Sequence, residues 1–87
     1  MAGHVMTLII MTGSGELYHD AASYINLPST DGTVGILPGH APMLCAVAAG
    51  TVLCRHEGAE ARIEVGSGVA EVRGDVVTLL VQLPSHR

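Results

Sequence analysis

Lysine, phenylalanine and tryptophan are missing from this 87-residue chain, and two tyrosines are its whole aromatic content. Without lysine the Gly-x-x-x-x-Gly-Lys phosphate loop cannot be built. Four dispersed arginines (Arg55, Arg62, Arg73, Arg87) and a formal charge of −4 supply neither a basic stripe nor stacking platforms, which argues against nucleic-acid binding. The same scarcity argues against a polybasic membrane patch. Charged residues are 14% of the chain against 48% hydrophobic, the reverse of a disordered composition. Cysteine is scarce too: Cys45 and Cys54 are too few for a disulfide scaffold. No charged stretch followed by an apolar one and a cleavage site stands at the start, so secretion is not expected. The longest apolar runs, Val5–Met11 and Met43–Ala49, fall well short of the roughly 20 residues of a membrane span. A globular chain without direct membrane insertion is expected.

Turn residues, by contrast, are plentiful. Eleven glycines and four prolines cut the sequence into short apolar segments. They read as strands over Val5–Met11, Glu16–His19, Ser23–Leu27, Thr33–Leu37, Met43–Val47, Thr51–His56, Ala61–Val65, Val69–Arg73 and Val76–Gln82. Ala61-Arg62-Ile63-Glu64-Val65 alternates apolar and charged, the period of a strand with one wet face. Asp75–Gln82 is rich in Val, Thr and Leu and reads as a strand with little exposure. Many short strands with regular turns in so small a chain point to a sandwich or barrel. Two segments also carry helical signals. Leu17, Ala21 and Ile25 recur at helical spacing, and Pro42–Ala49 opens on a proline and stops at Gly50. A hairpin about Ala49-Gly50 would set Cys45 and Cys54 opposite each other, although both read more simply as free thiols.

Catalytic constellations are weak. Gly13-Ser14-Gly15 and Gly66-Ser67-Gly68 lack the spacing of a dinucleotide fingerprint or a nucleophile elbow and read as turns. Five histidines (His4, His19, His40, His56, His86) with Asp20 raise a metal-binding reading, yet no pair has structural-site spacing. His19 and Asp20, being adjacent, would point to opposite faces of a strand. Cys54-Arg55-His56 would set a thiol and an imidazole on one face, without an oxyanion hole beside them. Glu60 and Glu64 read as the wet side of a strand. Neither a catalytic residue nor a metal or cofactor site is expected.

One segment is specific. Leu27-Pro28-Ser29-Thr30-Asp31-Gly32-Thr33-Val34-Gly35-Ile36-Leu37-Pro38-Gly39-His40-Ala41-Pro42-Met43-Leu44 resembles the signature of the epsilon subunit of the F-type ATP synthase, with Gly35–Pro42 the closest stretch. Gly15-Glu16-Leu17-Tyr18, Gly50-Thr51-Val52-Leu53, Gly66–Val72 and Val76–Leu80 extend the likeness over nearly the whole chain. The resemblance implies an all-β fold, a sandwich of about ten strands in two five-stranded sheets, with residues 1–87 as a single domain. It implies that both helix-like segments become strand, because packing overrides propensity. It also implies a non-catalytic rotor subunit of the central stalk, without cofactor, at the cytoplasmic face of the cell membrane or an organelle equivalent. Its partners would be the gamma subunit and the polar loops of the c-ring. Asp31, Gly32 and Thr33 match the loop facing the c-ring; many relatives carry glutamate where Thr33 stands, so one carboxylate remains there. Thr12, His40, Met43 and Cys45 match positions facing gamma, while Gly35, Gly39 and Pro42 look structural. The C-terminal helical hairpin of the family has no counterpart in these residues, so its inhibitory and ATP-binding activities are not carried over. The competing reading is a free-standing sandwich that binds a ligand or metal through surface histidines.

Overall fold

Alternation of apolar and polar residues, interrupted by glycine turns, produces nine strands and no helix among the residues that the computed structural model describes, 5–84. They are β1 (Met6–Thr12), β2 (Gly15–Ala22), β3 (Tyr24–Ser29), β4 (Gly32–Ile36), β5 (Met43–Val47), β6 (Gly50–His56), β7 (Ala59–Val65), β8 (Gly68–Arg73) and β9 (Val76–Val81). Every segment read as strand from the sequence is one. Both stretches with helical signals are extended, in β2, β3 and β5, because sheet packing, which buries Ala22, Ile25 and Val47 but leaves Leu17 exposed, overrides propensity. The described strands form a five-stranded sheet, β2-β1-β9-β8-β5, and a four-stranded sheet, β4-β3-β6-β7. The count is nine strands where the resemblance implied about ten. Pairing is antiparallel except between β1 and β9, the first and last strands, which run parallel.

The inner faces close on one core. The five-stranded sheet contributes Met6, Leu8, Ile10, Val77, Leu79, Ala70, Val72 and Val47; the four-stranded sheet contributes Ile25, Leu27, Ile36, Val52, Cys54 and Val65. Burying a side chain of the Val, Leu or Ile class is worth roughly 1.5–3 kcal/mol, so these aliphatic layers hold the fold without a large aromatic. A close approach fixes one glycine: a Cβ on Gly68 would sit 2.0 Å from the Leu80 carbonyl oxygen.

The hairpin about Ala49-Gly50 that would have set the two cysteines opposite each other does not form. β5 pairs with β8 in one sheet, β6 with β3 and β7 in the other. A two-residue hairpin turn needs positive φ, and none of Ala48, Ala49 and Gly50 has it. The chain crosses between sheets there instead, with the Ala48 N–H donating to the Pro28 carbonyl at 3.0 Å. Cys45 and Cys54 therefore lie in different sheets as free thiols. The expectation of little exposure along Asp75–Gln82 is overturned. β9 buries Val77, Leu79 and Val81 but leaves Val76 and Leu80 in solvent.

Candidate interaction surfaces

The β3–β4 hairpin carries the acidic loop. Asp31, Gly32 and Thr33 are all exposed at its tip, where the Asp31 N–H donates to Ser29 Oγ at 3.3 Å. Among the described residues the Asp31 carboxylate joins no ion pair, so its charge faces outward. At the opposite end of β4, the Pro38-Gly39 turn is held by the His40 N–H on the Leu37 carbonyl at 3.1 Å. The His40 ring closes on its neighbour, Nδ1 donating to the Ala41 carbonyl at 2.7 Å.

The four residues matched to a gamma contact are not gathered in one spot. Thr12 is only 7% exposed; its Oγ1 donates to the Gly15 carbonyl at 3.3 Å and accepts from the Ser14 N–H at 3.1 Å, closing the β1–β2 turn. Strand registers put Thr12 toward the end of the sheet where Val47 lies, and His40 before the opposite end of β5. Met43 and Cys45 face inward and pack against the core. Leu44, between them, points out and is 75% exposed.

The outer faces of the two sheets differ in chemistry. On the four-stranded sheet, Asn26 Nδ2 donates to the Tyr24 hydroxyl at 3.1 Å and the Arg55 guanidinium lies 5.2 Å from the Tyr24 ring centroid. Glu60 bridges Arg55 at 3.5 Å and Arg62 at 2.6 Å, and Thr51 donates to Glu64. The polar groups of that face satisfy one another, and the charged residues of 61–65 lie on it, the wet face that the alternation foretold. On the five-stranded sheet the register aligns Met11, Leu80, Val69 and Ala46 across β1, β9, β8 and β5. Met11, Val69 and Leu80 are 38%, 46% and 55% exposed. Leu44 stands opposite Glu71 in the next row. Beside it, a cleft of about 340 Å³ is lined by Pro42, Met43, Leu44, Glu71, Val72 and Arg73. The sequence reading missed Leu44, Met11, Val69 and Leu80 as surface residues. β1, β5 and β9 are largely apolar on both faces, so there the period of two carries little contrast to read. On β8, Val69 shares its face with the charged Glu71 and Arg73.

A smaller cleft, about 100 Å³, opens between β2 and β6–β7 and is lined by Tyr18, Cys54, His56 and Glu60 among others. Burial, then contacts with Cys54 and Asp20, push the Tyr18 phenol up to about 12. Burial likewise raises the Cys54 thiol above its ordinary value, against a hydrogen bond from Tyr18 that lowers it. The thiol donates to the Ala21 carbonyl at 3.7 Å. A protonated thiol is a poor nucleophile, so the Cys54–His56 pair has the geometry of one face but not the chemistry of attack. His4 and His86 lie outside the described residues. Among those described, no three of His, Cys, Asp and Glu converge as a metal would require.

Residues 5–83 match the family described as ATP synthase, Delta/Epsilon chain, beta-sandwich domain. The ATP synthase epsilon chain of Synechococcus sp. (strain CC9605) is 40% identical over 76 residues, 87% of this chain and 56% of the relative. That of Bacillus pumilus (strain SAFR-032) is 34% identical over 73 residues, 84% of this chain and again 56% of the relative. The chain thus spans little more than half the length of these relatives. Among solved structures, a chain of the Euglena gracilis mitochondrial ATP synthase (OSCP/F1/c-ring) superposes with a TM-score of 0.80 at 21% identity, over 88% of this chain and 50% of that one. A chain of the Tetrahymena thermophila mitochondrial ATP synthase central stalk and c-ring gives 0.70 at 12% identity, over 94% of this chain and 66% of that one. These structural matches speak for the same fold, and the family match spans nearly every described residue: the chain belongs to the ATP synthase delta/epsilon chain β-sandwich family.

Proposed function

We propose that this domain serves as a non-catalytic rotor subunit in the central stalk of an F-type ATP synthase. It joins a gamma subunit to the polar loops of the c-ring, so that ion-driven rotation is coupled to ATP synthesis. The observation that carries this reading is the pairing, on one small body, of the family's sandwich with an acidic hairpin loop whose carboxylate is left free. Asp31, with Gly32 and Thr33 shaping the tip, meets the ring; the side bearing Thr12, His40, Met43 and Cys45 meets gamma. His40 and Thr12 hold turns at opposite ends of that side, and Met43 and Cys45 support it from beneath. A close-packed sandwich suits the task, because an interior at crystal-like density deforms little under load. In this reading the domain sits at the membrane surface, on the cytoplasmic face of the cell membrane or its organelle equivalent, without insertion into the bilayer.

The test is Asp31→Lys. This exposed, unpaired position costs the isolated domain under about 0.5 kcal/mol, so its melting temperature should hold. Association with a reconstituted c-ring, followed by co-sedimentation, should fall. Unchanged co-sedimentation would remove the acidic loop from the contact.

A further inference from the structure

We infer that the cleft between β2 and β6–β7 binds one soft monovalent metal ion of the copper(I) class, held by Cys54 Sγ and His56 Nδ1. This inference stands apart from the rotor reading and needs no partner subunit.

The atom that asks for an explanation is His56 Nδ1, which is buried and has no hydrogen-bond partner among the described residues. Orphaned polar atoms are rare in folded proteins, and a bound ion or water is an ordinary reason for one. The other ring nitrogen, Nε2, faces the Glu57 carboxylate at 3.7 Å. A carboxylate on that side draws the ring proton to Nε2, so Nδ1 carries the lone pair of a neutral imidazole. Metal-ligating histidines are oriented in this way, through the far nitrogen.

Cys54 supplies the second donor. It lies two residues before His56 on β6 and on the same face, which sets their Cα atoms about 6–7 Å apart. Both side chains line the cleft of about 100 Å³, and Tyr18 lines it from β2. As the ion binds, the S–H bond now directed at the Ala21 carbonyl breaks, its proton leaves to solvent, and a sulfur–metal bond replaces it. The Tyr18 hydroxyl, already hydrogen-bonded to Cys54, then donates to the thiolate. Asp20, which acts on Cys54, and Glu57, which faces His56, add negative potential that favours a cation.

The donor set selects the metal. Zinc and calcium need three or more converging ligands, and no three of the described His, Cys, Asp and Glu side chains supply them. A soft monovalent ion is satisfied by a thiolate and an imidazole alone. Cys45, in the other sheet, lines neither described cleft and serves as the internal control.

The experiment titrates the reduced full chain, in the absence of oxygen, with copper(I) held by the coloured chelator bicinchoninate, and reads the metal that the protein withdraws. The unaltered chain and Cys45→Ala should each take up one equivalent. Cys54→Ala and His56→Phe should each weaken binding beyond the roughly hundredfold ceiling of an outer-shell loss, and Glu57→Gln by roughly tenfold. Silver(I), a redox-inert stand-in, should move the nitrogen resonance of His56 Nδ1 and leave those of His19 and His40 in place. Should Cys54→Ala fail to fold, His56→Phe, at a partly exposed strand end, decides the matter. No uptake, uptake that survives His56→Phe, or uptake lost with Cys45→Ala leaves the cleft to water and overturns the site.

Discussion

At the scale of single residues, Gly68 and the Tyr18–Cys54 pair carry the clearest consequences. A methyl at position 68 would meet the Leu80 carbonyl oxygen at 2.0 Å, and the atoms nearest to it are all backbone of Leu80 and Val81, which leaves little room to move. Overpacking of this kind costs typically about 1–3 kcal/mol. In a domain of this size each 1 kcal/mol lowers the melting temperature by roughly 4–8 °C. Gly68→Ala should therefore melt well below the parent, whereas Gly13→Ala, which meets nothing within 4 Å, should not; thermal unfolding compares them directly. The thiol and phenol make a pH prediction. Both groups bind their protons more tightly folded than unfolded, so their contribution is full below the ordinary value and drains away as pH rises. For Cys54 the loss begins near its ordinary value of 9.0; for Tyr18 it runs from 10.0 to about 12. Denaturant unfolding between pH 8 and 12 should show stability falling with pH, and Tyr18→Phe should flatten the upper part. An identical slope in the variant would detach Tyr18 from the effect.

At the scale of elements, the turns decided what could be read in advance. The tight hairpins β1–β2, β3–β4, β6–β7 and β8–β9 each carry a positive φ, at Gly15, Gly32, Glu57 and Gly58, and Gly74. Glycine-bearing dipeptides advertise such turns, which is why the strand bounds nearly all survived. The sheet crossings at Ala48–Ala49 and Gly66–Ser67 use no such conformation, so sequence alone could not tell a crossing from a hairpin. That ambiguity left a β5–β6 pairing open, which the structure excludes. The same limit applied to the surfaces. The acidic loop was legible because Asp31 and Gly32 declare a turn; the apolar patch was not, because Val69, Leu80 and Met11 look identical to core residues. Their exposure is set by which neighbour lies across the sheet, and no local pattern encodes that. For Met43, Leu44 and Cys45 the segment was legible but the facing was not. Its middle residue, rather than its outer two, reaches solvent.

Over the whole molecule, chemistry is divided between faces: an apolar side, a self-satisfied polar side, and a lone carboxylate at one tip. A rotor part bound to two partners can use that division to hold them by different forces. The proposed gamma contact would draw on the apolar side, where Leu44, Val69, Leu80 and Met11 are exposed, and apolar burial is not screened by salt. The proposed ring contact would draw on the charge of the exposed Asp31, whose range shrinks to about 3 Å near 1 M salt. Raising sodium chloride from about 0.1 M to 1 M should therefore leave gamma capture intact while loosening co-sedimentation with the c-ring. Asp31→Lys should make the ring contact insensitive to the same change, because the interaction that salt screens is already gone. Parallel binding assays at the two salt concentrations read both outcomes. If gamma capture fell with salt while the ring contact held, the two forces would have been assigned to the wrong faces.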